Sequence, residues 1–214
     1  MKRLLTLMLT AALSLPVWAL DEAGQARLHA VQTRWAEIQY QLPEAQREAA
    51  LEKLAAESAA FTREQPQAAE AWVWHGIVTS SWAGAQGGLG ALGKAKDAKA
   101  YLEKAIALDS GALQGSAYTS LGTLYDRVPG WPIGFGDEDK ADQLLRQALQ
   151  VNPEGIDSLY FWGDHLLRQG HYVEAKAALE KAKQAAPRPG RELADSGRQG
   201  EIDQLLLEVN KKLN

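Results

Sequence analysis

The chain has 214 residues, with 23 Lys+Arg against 27 Asp+Glu, 4 His, no Cys, a formal net charge of −4 and 46% hydrophobic residues. This is a globular composition rather than a disordered, collagenous or membrane-bundle one, and the acidic balance lacks the basic face expected of a nucleic-acid binder. Without Cys there is no disulfide scaffold, no Cys-ligated zinc or iron–sulfur cluster and no thiol catalysis.

Residues 1–19 read as an export signal. Lys2 and Arg3 form a basic start, and Leu4 to Leu15 is an apolar run too short to span a bilayer as a helix. Val17-Trp18-Ala19 then places small residues at the two sites a signal peptidase reads. The expectation is cleavage after Ala19 and a periplasmic protein. No Cys stands at the cleavage point, so a lipoprotein is not expected. No second long apolar run follows, so the mature chain is expected to have no transmembrane segment. Residues 20–68 read as a degenerate helix pair. Leu28, Val31, Trp35 and Ile38 recur at helical spacing, Pro43 breaks the run, and Leu51, Leu54, Ala55, Ser58 and Phe61 resume it.

Three matching segments follow within 69–188. Ala98-x3-Leu102-x2-Ala105, Ala141-x3-Leu145-x2-Ala148 and Ala175-x3-Leu179-x2-Ala182 each end near Ser110, Pro153 or Pro187. Each is preceded by a second block: Trp72-x2-His75-Gly76-x2-Thr79, Tyr118-x2-Leu121-Gly122-x2-Tyr125 and Leu159-x2-Trp162-Gly163-x2-Leu166. Gly and Ala suit the place where two antiparallel helices cross closely. The terminal Pro cannot donate a helix hydrogen bond, so it ends one hairpin and starts the next. One hairpin cannot bury its apolar face alone, so copies must stack. These blocks together resemble the tetratricopeptide repeat. The resemblance implies an all-α fold, a right-handed superhelical solenoid of antiparallel hairpins. Residues 189–214, with Ile202, Leu205, Leu206 and Val209 on one face, read as a linker and C-terminal capping helix.

Two Gly-rich insertions lie between the helices of the first two repeats, at 80–97 and 126–139. Gly76 to Ala98 spans 22 residues and Gly122 to Ala141 spans 19, where Gly163 to Ala175 spans 12. The expectation is a pair of loops on one edge, carrying Trp82, Trp131 and Phe135. These rings either pack down to close the loops or wall a pocket for a small hydrophobic or organic-acid ligand. Gly88-x4-Gly93-Lys94 is no phosphate loop, since Ala95 replaces the metal-binding hydroxyl and no strand precedes it. Asp137-Glu138-Asp139 reads as a helix cap rather than a calcium site. No cofactor or metal site is expected. The four His are scattered, and no nucleophile–base set assembles, so no catalytic residue is assigned.

The resemblance implies that the first helix of each hairpin lines a concave face. That face would hold Ile77, Ser80, Thr119, Thr123, Asp126, Tyr160, Asp164, Leu167 and Arg168. The basic segment Arg188, Arg191 and Arg198 either clamps a carboxylate or pairs with surface acids. The Gly-rich inserts Gly87-Gly88-Leu89-Gly90 and 129–137 further resemble the TatT-type T-component family of TRAP transporters. That resemblance implies a periplasmic partner of a substrate-binding protein. The function expected is a non-catalytic adaptor for protein–protein interaction; the alternative is a small-ligand accessory of such a transporter.

Overall fold

The structure is a computed structural model that describes residues 20–88 and 90–214, so the export signal read at 1–19 lies outside the described residues. Nine helices are found among the described residues: α1 (Glu22–Tyr40), α2 (Glu44–Glu64), α3 (Ala69–Gln86), α4 (Ala91–Leu108), α5 (Ala112–Arg127), α6 (Glu138–Val151), α7 (Ile156–Arg168), α8 (Tyr172–Lys183) and α9 (Glu192–Leu213). None is long and apolar enough to cross a membrane.

The repeated Gly and Leu set the spacing of each hairpin. A Cβ on Gly76 would stand 2.6 Å from Leu102 Cγ, one on Gly122 2.8 Å from Leu145 Cγ, and one on Gly163 2.7 Å from Leu179 Cγ. The three leucines and Ala98, Ala141 and Ala175 are all buried. The same crossing is therefore built three times, and it draws α3 onto α4, α5 onto α6 and α7 onto α8.

The hairpins stack in two layers. Helices α1, α3, α5, α7 and α9 touch one another in chain order, and α9 returns to α1. Helices α2, α4, α6 and α8 lie outside them. The superhelix is thus closed into a ring of five inner helices. Helix α9 does more than cap the last repeat. Ile202 and Val209 pack into the C-terminal core with Leu159 and Leu179, while Leu193 and Ala194 join the N-terminal core of Leu28, Val31, Trp35 and Trp74.

The closure has a specific joint. A Cβ at Gly197 of α9 would overlap the ring of Tyr40 at the end of α1, so only glycine lets the two helices meet there. The Gly197→Leu variant is expected to lift α9 from α1 while leaving the hairpins folded. Hydrogen exchange should then accelerate in the first half of α9 and the last turn of α1, with little change in α5 to α8.

The first insertion departs from the expected loop. α3 and α4 hold 18 residues each, where α7 and α8 hold 13 and 12. The extra residues lengthen both helices, carrying α3 to Gln86 and starting α4 at Ala91. The stretch is rich in Ala, the best helix former, and its Gly84 and Gly93 sit in open space. The second insertion is a loop, 128–137, closed on itself. Gly136 N–H donates to Pro129 O at 3.0 Å and Asp137 N–H to Tyr125 O at 3.0 Å. Asp137 then caps α6, accepting from Lys140 N–H at 3.0 Å.

His75 occupies a packing position in α3. Its Nδ1 lies 2.8 Å from Ser58 Oγ, and its ring stacks on Tyr101 at 4.2 Å. Burial, helped by Arg63, lowers its pKa to about 4. The unfolded chain binds this proton near pH 6.5 and the folded one does not, so stability is present above that pH and lost as pH falls from about 6.5 to 4. Urea unfolding across this window should show uptake of about one proton, and His75→Phe should flatten that slope.

Candidate binding cavity

The ring of inner helices encloses a cavity of about 1690 Å³. Its wall takes residues from α1, α3, α5, α7 and α9, from the turns at 87–88 and 128–133, and from the opposite turns at 152–155 and 184–191. Turns at both edges line it, so it runs through the thickness of the ring.

One side of the wall is aromatic. Trp35 meets Trp74 edge to face at 5.7 Å and Tyr40 at 6.0 Å. Trp35 Nε1–H donates to Ser81 Oγ at 2.9 Å, which fixes the ring against α3. Across from it stand Tyr160 and Phe161 of α7, both under the guanidinium of Arg198, at 4.2 and 4.6 Å. Ser80, Ser116, Thr119, Ser120 and Thr123 give the wall small polar groups between the rings.

The charged side is an ion-pair network anchored by Asp157 of α7. Its carboxylate accepts from Arg198 Nε at 2.8 Å and from Arg188 Nη1 at 2.6 Å. Arg188 also reaches Asp195, and Arg198 also reaches Glu201. Burial pushes the Asp157 carboxyl up, but Arg198 and Arg188 more than reverse this and hold it at about 2. The network ties α7, the 184–191 segment and α9 together, so it helps close the ring.

The concave-face residues expected from the sequence divide into two groups. Ile77, Ser80, Thr119, Thr123 and Tyr160 border the cavity. Asp126, Asp164, Leu167 and Arg168 do not; Leu167 packs into the C-terminal core, and the other three join α5 to α7. His165 Nδ1 stands 2.7 Å from Asp126, Arg168 Nε lies 3.0 Å from the same carboxylate, and Arg127 pairs with Asp164. Asp164 and His165 diverge as adjacent helix positions do, and each finds its partner one repeat earlier.

The three insert aromatics do not converge. Trp82 lies on α3, packed toward the N-terminal core, with Lys94 Nζ 4.1 Å over its ring. Phe135 packs edge-on against Tyr125 at 5.4 Å and holds the 128–137 loop down. Trp131 is 90% exposed at the tip of that loop. None borders the cavity, which takes only Val128, Pro129 and Ile133 from this loop.

Trp35, Trp74, Tyr40 and Arg191 are wall residues that the repeat pattern does not single out. The first three lie on helical stripes indistinguishable from ordinary core. A further feature was illegible: the first turn of α5 is wound left-handed, with φ of 48° at Leu113, 56° at Gln114 and 74° at Gly115. Leu113 and Gln114 border the cavity, and Gln114 Oε1 accepts from Asn152 Nδ2 at 2.9 Å. Non-glycine residues held there store strain, which tends to collect at binding sites.

Residues 89–111 match the tetratricopeptide repeat family. No curated protein matches the chain by sequence. Among solved structures, a thermophilic TPR protein of Thermus thermophilus aligns with a TM-score of 0.58 and 19% identity, covering 87% of this chain and 85% of that one. The MamA protein aligns at 0.45 and 16% identity over 87% and 92% of the two chains. The pilF protein of Pseudomonas aeruginosa aligns at 0.36 and 13% over 88% and 94%. The family match is confined to residues 89–111, and the likeness to the Thermus structure is one of fold; with the repeated Gly–Leu crossing and the stacked hairpins, they show an all-α solenoid of helical hairpins like that of tetratricopeptide-repeat proteins.

Proposed function

We propose that the protein is an exported, non-catalytic adaptor that holds a segment of a partner protein inside its ring. The observation that carries this reading is the cavity of about 1690 Å³, larger than the roughly 300–1,000 Å³ usual for small-molecule sites. Its wall mixes rings, hydroxyls and guanidinium groups, a pattern suited to an extended peptide of mixed character. Export rests on the basic start, apolar run and Ala19 site of residues 1–19.

A second reading is a T-component-like carrier of a small organic ligand for a transporter. The α1–α9 closure favours it, because a closed ring shelters Trp35, Trp74 and Tyr160 from bulk solvent and from a large folded partner. A photo-crosslinking residue separates the two. Placed at Ser120 in the cavity wall, it should capture a protein in the cells of origin, while the same residue at Lys176 on the outer layer should not. Capture only from Lys176 would contradict the adaptor reading, and no capture from either position would leave the carrier ahead.

A further inference from the structure

Five arginines border the cavity, and four of them are engaged. Arg47 Nε donates to the Leu42 carbonyl at 3.0 Å. Arg127 pairs with Asp164, Arg188 with Asp157 and Asp195, and Arg198 with Asp157 and Glu201. Arg191 differs. Among the described residues, no carboxylate oxygen stands within 4.0 Å of its guanidinium, and none of its side-chain N–H groups has a hydrogen-bond acceptor. Its contact is instead with Trp74, over whose ring the guanidinium lies at 5.0 Å. Trp74 is itself buried in the N-terminal core, so the guanidinium rests on a fixed plane.

We propose that Arg191 is the anchor for a carboxylate on whatever occupies the cavity, with the occupant's apolar part against Trp74, Trp35 and Tyr40. This rests on the reading of the cavity as the binding region. A stacked guanidinium keeps its planar fork of donors free at the edge, and that fork matches a carboxylate in two parallel hydrogen bonds. Gln32 of α1 borders both the cavity and the small outer cleft that Arg191 also lines, so its amide is placed to serve as a second donor. The surroundings favour an incoming anion. Burial and the neighbouring Arg188 push the Arg191 guanidinium below its usual range, and Asp157 and Asp195 offset this only in part. A carboxylate arriving from outside completes what the fold leaves open. It is supplied either by a free organic acid or by the C-terminus or an acidic side chain of a peptide.

The test uses the full chain and two pairs of probes in calorimetric titration. One pair is indole-3-acetate and its neutral analogue indole-3-acetamide. The other is an N-acetylated Leu-Phe-Ala tripeptide with a free C-terminal carboxylate and the same peptide as its amide. The acid form of at least one pair should bind about tenfold or more tighter than its amide, the scale of a charge-assisted hydrogen bond. Arg191→Gln should erase that preference without moving the thermal midpoint. Arg146→Gln, which removes a guanidinium stacked on Trp162 at 4.6 Å outside the cavity, should keep it. Preference confined to the indole pair assigns the site to free organic acids, and preference confined to the peptide pair assigns it to a peptide terminus. Acid and amide binding equally would overturn the carboxylate anchor while leaving the cavity as the binding region. A preference that survives Arg191→Gln overturns it as well. Failure of all four probes to bind overturns the anchor and the cavity reading together.

Discussion

Replacing Asp157 by Ala should cost about 3 kcal/mol of stability, the low end of the scale for removing one partner of a buried ion pair, because Arg198 is buried while the Asp157 side chain is one-third exposed. The loss comes from what remains. Arg198 is 7% exposed, and without Asp157 it keeps only Glu201. Arg188 keeps only Asp195. Urea unfolding should report the loss as a lower midpoint at unchanged slope, and a chain of this size should melt roughly 6–12 °C lower. The same carboxylate predicts an acid response. Its folded pKa lies at about 2, below the unfolded value near 3.8, so protonation favours the unfolded chain. Its contribution is present above pH 4 and is lost as pH falls toward 2. Asp157→Ala should remove that part of the acid sensitivity. A variant as stable as wild type, with the same acid profile, would mean that the network does not help hold the ring closed.

The second large effect falls on the repeat crossings. Leu102→Ala, Leu145→Ala and Leu179→Ala should each cost about 2–5 kcal/mol, because each leucine is fully buried over a repeat glycine and its removal leaves a cavity that the facing helix fills only in part. The three costs should be alike, since the three sites are built alike. Chemical denaturation of the three variants side by side measures this. If one variant unfolds as readily as wild type, that hairpin does not rely on the Gly–Leu crossing.

These crossings were legible because they are local. A glycine in one recurring block and a leucine in the next report one packing event, and both blocks repeat even where an insertion lengthens the stretch between them. The Asp137 cap was legible for the same reason. The pairing of Asp126 with His165 was not, because its members lie 39 residues apart on successive repeats. Sequence spacing placed Asp126, Asp164 and Arg168 on the right helices but not against one another. The closure of the ring was illegible too. Leu193 and Ala194 precede Ile202 and Val209 in a single helix, and nothing in that order tells a cap that ends a solenoid from a strap that joins both ends. Gly197 is the residue on which the difference turns. The first insertion misled for a different reason: its glycines read as loop, while its alanines carried both helices through it.

The cavity wall shows the same division. Thr119, Thr123 and Tyr160 could be placed from the repeat register. Trp35 and Trp74 sit on stripes that read as ordinary core, and Arg191 lies in the segment leading into α9. The three insert aromatics lie elsewhere, two packed onto the helices and Trp131 in solvent.

We propose that the interior of the ring is where this protein binds. Native mass spectrometry of the chain recovered from its own cells tests it most directly, comparing wild type with Ser120→Trp, which narrows the cavity from α5. A stoichiometric added mass, peptide or organic acid, is expected on wild type and should be lost in a Ser120→Trp variant of unchanged thermal midpoint. A bare wild-type chain, or an added mass that the narrowed cavity holds unchanged, would contradict it.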